Sequence, residues 1–268
     1  MSKKAVYGII IAVLLPLIGY FSLKRATEET VAMPRHYIPD SVVIRTENGK
    51  QYQDTIWHRL PEFNLTNQLG QAVSWNDLEG KVVVADFFFT HCPTICPGLT
   101  NNMKKLQEGI KKSDRAGDRQ PDFIQFLSFS IDPERDSVPQ LKKWADRFQI
   151  DPQNWWLLTG DRNEIYDLSI NHLKLLAQDG GPVDSNFLHT DFFVLIDKNR
   201  NIRGYYHGLD ENDLSRLSED IVLLSLEKDP HKKFFLAGKL ELIAVVFVIA
   251  AIGLVVLLKF LKREDKKA

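Results

Sequence analysis

Apolar and polar residues along this chain change their period several times, and each change marks an element. From Ala5 to Leu23 the sequence AVYGIIIAVLLPLIGYFSL carries no charge, and its 19 residues rise far enough as a helix to cross a bilayer core about 30 Å thick. A second charge-free stretch, LIAVVFVIAAIGLVVLL from Leu242 to Leu258, is hydrophobic on every side with no polar stripe, which favours a span over a buried C-terminal helix of the folded domain. Residues 26–55 are polar, contain Pro34 and Pro39 and hold no sustained period, so a stalk is predicted there. Phe63 to Val73 reads as a short hairpin about Asn67-Gln68-Leu69-Gly70. KVVVADFFFT, from Lys81 to Thr90, is a near-continuous apolar and β-branched run, as in a strand buried on both faces. Leu99, Met103, Leu106 and Ile110 then recur at helical spacing to about Lys112, and FIQFLSFSI from Phe123 to Ile131 is a second apolar strand. Strand, helix and strand make a βαβ unit.

Downstream, Asp136 or Ser137 is placed to cap a helix through about Phe148, with Pro139 near its first turn. A strand over Trp155–Leu158, a helix over Asp161–Ile170, a hairpin of DFFVLID and IRGYYHG, and a helix from Asp210 to about Leu226 complete the series. The predicted fold class is α/β: a mixed sheet of central parallel strands with a terminal hairpin, flanked by helices, plus an N-terminal and a C-terminal transmembrane helix. The expected divisions are an anchor over 1–25, a linker over 26–55, the folded domain over 56–230, a second span over 234–260 and a basic tail over 261–268.

Charge adds an orientation. Lys3 and Lys4 precede the first apolar stretch, while Lys259, Lys262, Arg263, Lys266 and Lys267 follow the second. Positive flanks stay on the cytoplasmic side, so both termini are expected inside, with the domain in the periplasm or an equivalent space beyond an inner membrane. A cleaved signal peptide is the alternative for the first stretch, but Lys24 and Arg25 stand where a small-residue cleavage site belongs. Charged residues at 26% and hydrophobic ones at 44% are ordinary for a globular chain. The formal net charge of −1 offers no field for a phosphate backbone, so nucleic acid is excluded as an expected partner.

The chain has two cysteines, Cys92 and Cys96, both in the run Cys92-Pro93-Thr94-Ile95-Cys96-Pro97 between the buried strand and the following helix. A helix N-terminus lowers the pKa of a nearby thiol, and thiolate is both nucleophile and metal ligand. An inert disulfide is the plainer reading, but it would close a very small loop and add little stability.

Asp86-Phe87-Phe88-Phe89-Thr90-His91-Cys92-Pro93-Thr94-Ile95-Cys96-Pro97, then Asp132-Pro133-Glu134-Arg135-Asp136, then His189 before Asp191-Phe192-Phe193-Val194-Leu195-Ile196-Asp197, together resemble the Sco/SenC family of copper-binding assembly factors for respiratory oxidases. The resemblance covers about residues 56–226. It implies a thioredoxin-like fold in which Cys92, Cys96 and His189 bind one copper ion, Cu(I) or Cu(II). Two thiolates and an imidazole are a soft donor set that suits Cu(I) and also holds Cu(II). Thioredoxin-type oxidoreductases usually carry a cis-proline where this chain reads Leu188-His189-Thr190, which favours metal binding over general disulfide exchange. His91 is at best an outer partner of the metal. His36, His58, His172, His207 and His231 are expected at the solvated surface. Asp132, Arg135 and Asp136 are expected to fix a loop and cap a helix rather than act as acid or base.

This sequence departs from the family pattern in two places. Ser137-Val138-Pro139 stands where Thr-Pro usually follows DPERD, and members typically have only the N-terminal anchor. The implied function is a non-enzymatic copper chaperone for the binuclear copper A centre of cytochrome c oxidase, with the copper A subunit, the membrane and other copper carriers as partners. The alternative is a thiol–disulfide oxidoreductase that reduces the acceptor's cysteines, with Cys92 as the attacking thiol.

Overall fold

The computed structural model describes residues 33–47, 49–113, 122–175 and 190–227, together with Ile18 and Ser22. Residues 33–227 make up one compact unit. Apart from Ile18 and Ser22, the two apolar stretches expected to span a membrane lie outside the described residues, as do the basic tail and His231. Among those described, no helix is long and apolar enough to cross a membrane.

The core of the unit is a seven-stranded sheet. Its strands are β3 (Asn64–Asn67), β4 (Ala72–Ser74), β5 (Val82–Phe88), β6 (Ile124–Ser130), β7 (Trp155–Thr159), β8 (Phe192–Ile196) and β9 (Ile202–His207). They lie side by side in the order β4-β3-β7-β6-β5-β8-β9. β5, β6 and β7 are parallel neighbours, and β8 joins β5 antiparallel before turning back as β9. Every residue of β5 and β6 is buried, which explains the near-continuous apolar runs in the sequence: these strands have no solvent face, and Asp86, Gln125, Ser128 and Ser130 are buried polar exceptions.

Helices α1 (Cys96–Ser113), α2 (Val138–Arg147) and α4 (Glu211–Leu226) cover one face. There Leu99, Met103, Leu141, Trp144, Leu217 and Ile221 pack on Val82, Val84 and Phe88. On the other face Val83, Ala85 and Phe87 meet Leu60, Phe63 and Trp75, with Ile165 and Leu168 from α3 (Arg162–Asp167) and the π-helical turn Leu168–His172 that continues it. The mixed sheet with helices on both faces is the architecture the sequence predicts.

The segment read as a stalk contains structure. β1 (Pro39–Glu47) and β2 (Lys50–Trp57) form an antiparallel hairpin, with Glu47 opposite Lys50. In sequence the strands are separated by Asn48-Gly49, a dipeptide favoured in two-residue hairpin turns. Gly49 has φ +75°. The hairpin is polar enough to look like linker, since its apolar positions Val42, Ile44 and Ile56 are exposed rather than set into a core.

Candidate metal centre

Because β5, β6 and β7 run parallel and β8 runs against them, one end of the sheet collects the chain just after β5, just after β6 and just before β8. Cys92 and Cys96 sit at that end. The chain leaves β5, turns with Cys92 N–H donating to Phe89 O at 3.2 Å, and enters α1 at Cys96, the first helical residue. Both sulfurs are reduced thiols, Cys92 5% and Cys96 1% exposed. The backbone N–H of Cys96 donates to Cys92 Sγ at 3.4 Å, and Thr94 Oγ1 lies 3.6 Å from the same sulfur. Cys92 Sγ thus accepts one of the helix N–H groups that lack an intrahelical partner, a position that favours negative charge on it.

Cys96 behaves differently. Burial drives its thiol well above the ordinary range, and its hydrogen bond with Cys92 and the charges of Cys92 and Asp86 push the same way; a backbone hydrogen bond at Phe89 opposes them. At this residue, then, desolvation outweighs the helix N-terminus that the sequence suggested would lower it. The pair is asymmetric, with one sulfur supported by a backbone donor and the other a reluctant acid. A soft cation that binds thiolate supplies the driving force for releasing that proton.

Asp136 braces the loop. Its side chain is fully buried between the ends of β5 and β6, accepting from Thr90 Oγ1 at 2.5 Å, Thr90 N–H at 3.1 Å and Ser130 Oγ at 2.6 Å. It does not cap α2, contrary to one sequence expectation: Ser137 holds the cap position with no side-chain hydrogen bond, and Pro139 stands in the first turn. The other expectation for this loop is met, with Arg135 Nε donating to Asp132 Oδ2 at 2.5 Å. Glu134 also pairs with Arg162 at 3.3 Å. Thr90 Oγ1 lies 3.1 Å from His91 Nδ1, so His91 is held through its Nδ1 side to the braced loop, with half its side chain exposed.

His189 lies outside the described residues. The described residues show that β8, which follows it by three positions, enters the sheet beside β5, and that Thr190 Oγ1 accepts from Phe192 N–H at 3.1 Å. Among the described residues no three His, Cys, Asp or Glu side chains converge on a metal position; the two cysteines are the described part of the expected set.

Of the remaining histidines, His207 is exposed and 3.0 Å from Asp191. Three others contradict a surface assignment in part. His36 stacks on Trp57 at 4.8 Å, its pKa lowered chiefly by burial and then by Arg203. His58 and His172 meet each other through ring nitrogens 3.1 Å apart. Sequence reasoning also passed over Asp86, which is 2% exposed within β5; its signal was a lone acid inside an otherwise apolar run.

A family model described as SCO1/SenC matches residues 55–222. The SCO1 protein homolog of Bacillus subtilis (strain 168) is 31% identical over 174 residues, covering 65% of this chain and 86% of that protein. Among solved structures, BsSco, described with a disulfide switch and as a member of the Sco family of cytochrome c oxidase assembly proteins, aligns at 30% identity and a TM-score of 0.54, over 65% of this chain and 98% of that one. Yeast Sco1 with copper bound aligns at 22% identity and a TM-score of 0.50, over 66% of this chain and 98% of that one, a likeness of fold.

Proposed function

The chain belongs to the SCO1/SenC family, and on that premise we propose that it is a copper chaperone for the binuclear copper A centre of a cytochrome c oxidase, carrying the ion on Cys92, Cys96 and His189. The observation that carries this reading is the pair of reduced, nearly dry sulfurs at the start of α1. Two soft donors in an apolar setting suit a cation that prefers low coordination and thiolate, and disfavour hard, hydrated ions. Copper is cargo here. Both sulfurs lie at one end of the sheet, and the outward-facing loop between them gives an acceptor's cysteines a route to displace them one at a time.

In this reading the unit is held at a membrane by the stretches Ala5–Leu23 and Leu242–Leu258, with the charge flanks placing it on the periplasmic side. Copper titration of the reduced full chain tests the ligand set. His189→Ala is expected to bind at least about tenfold more weakly than wild type; equal binding would remove His189 from the site.

A second reading, reduction of the acceptor's cysteines by the same pair, is favoured by the donation from Cys96 N–H to Cys92 Sγ. That contact supports Cys92 as the attacking thiolate and leaves Cys96 to resolve the mixed disulfide.

A further inference from the structure

Outside the thiol site, four titratable side chains stand in a row. Asp40 Oδ1 lies 2.9 Å from His58 Nδ1, His58 Nε2 lies 3.1 Å from His172 Nδ1, and His172 Nε2 lies 3.3 Å from Asp167 Oδ2. The two rings are nearly parallel, 9° apart with centroids at 5.3 Å. Their facing nitrogens point at each other rather than converging on a third point, so the row is two hydrogen bonds ending in the His172–Asp167 ion-pair contact, and not a metal site.

The row joins parts of the chain that are distant in sequence. Asp40 belongs to β1 and His58 directly follows β2, so both sit at the open end of the hairpin. Asp167 ends α3 and His172 ends the π-helical turn, closed by Leu173 N–H donating to Leu168 O at 2.8 Å. Lys174 follows with φ +52°, and from there the chain runs on toward His189. Among the described residues, Asn171 donates to Asp167 Oδ1 and Asn201 donates to the backbone carbonyl of His58.

Counting protons decides what the row does. The two hydrogen bonds need two N–H protons and the ion pair of His172 with Asp167 needs a third, which together make one imidazolium and one neutral imidazole between two carboxylates. With a fourth proton, two N–H groups face each other at the ring-to-ring contact, and two like charges adjoin. With only two protons, one contact has no hydrogen. We propose that Asp40, His58, His172 and Asp167 form a single-proton latch that fastens the β1–β2 hairpin to the π turn, and that uptake of a second proton on acidification opens it. A two-stranded hairpin is marginal in water without such an anchor, so opening it would be felt along the whole hairpin.

Amide hydrogen exchange on the metal-free, reduced full chain tests this, with rates corrected for the intrinsic pH dependence of exchange. Metal-free protein separates the result from the fate of the copper reading. Protection of the β1–β2 ladder in wild type is expected to fall about tenfold between about pH 7.5 and about pH 5, the worth of one hydrogen bond involving a charged group. His172→Gln, which cannot carry the shared charge, is expected to lower protection at the higher pH and to flatten the dependence. Asp167→Asn, at an exposed position where folding is not at stake, is expected to give a shallower slope. Protection in wild type that does not change with pH would overturn the latch, as would an equal fall in wild type and both variants.

Discussion

Asp86 lies in the middle of β5 with Oδ1 meeting no donor, and burial raises its carboxyl pKa from 3.8 to about 7 against a weaker opposing hydrogen bond from Ser128. Since the folded value lies above the unfolded one, the folded state binds the proton more tightly. The stabilisation is complete below the unfolded pKa and is lost as pH rises through about 7. Asp86→Asn removes the buried charge, so the variant is expected to gain on wild type as pH rises from about 5 to about 8.5, by about 3 kcal/mol. Urea unfolding of the reduced chain at the two pH values checks it, and an unchanged difference between variant and wild type would refute the assignment. The acid was legible in the sequence as an interruption of an apolar run, but its lack of a partner was not, because that depends on Ser128 of the neighbouring strand. The thiols were fully legible, since a strand end and a helix start bracket them within a few residues. The raised pKa of Cys96 was not, because burial in the assembled unit produces it.

At the scale of elements, Asp136 ties the ends of β5 and β6 through Thr90 and Ser130. Asp136→Leu leaves the buried Ser130 hydroxyl and the half-buried Thr90 donors unmatched, which costs about 1–3 kcal/mol for each buried group stranded. The variant is expected to lower the urea midpoint and also to weaken copper binding, whereas a purely structural brace would leave affinity unchanged in the fraction still folded. Local sequence pattern placed the strands and helices of the main sheet well, because each has a period set by its own burial. It missed the β1–β2 hairpin, whose apolar residues face outward, although Asn48-Gly49 between two alternating runs was a readable sign. It also missed the brace, since an acid just before a helix has the same local signature whether it caps that helix or turns back to the strand before it.

Across the whole unit, Arg203 of β9 is 3% exposed and its guanidinium donates to Pro34 O at 2.9 Å, to Asp197 Oδ2 at 3.0 Å and to both carboxylate oxygens of Glu227, at 2.7 and 3.0 Å. Breaking a buried pair strands the remaining charge, which is worth about 3–5 kcal/mol. Arg203→Leu is expected to lose stability on that order in urea; no loss would show that the carboxylates find water instead. Composition and pattern gave the layer order of this molecule, but a side chain that gathers two ends 193 positions apart (227 − 34) could be seen only once the sheet was assembled. One guanidinium holds the first and last turns of the unit together, so the chain enters and leaves at the same point, like a loop of cord closed by a clasp. Such a loop can be cut elsewhere and its old ends joined by a short bridge, making residues 33–227 a natural subject for circular permutation.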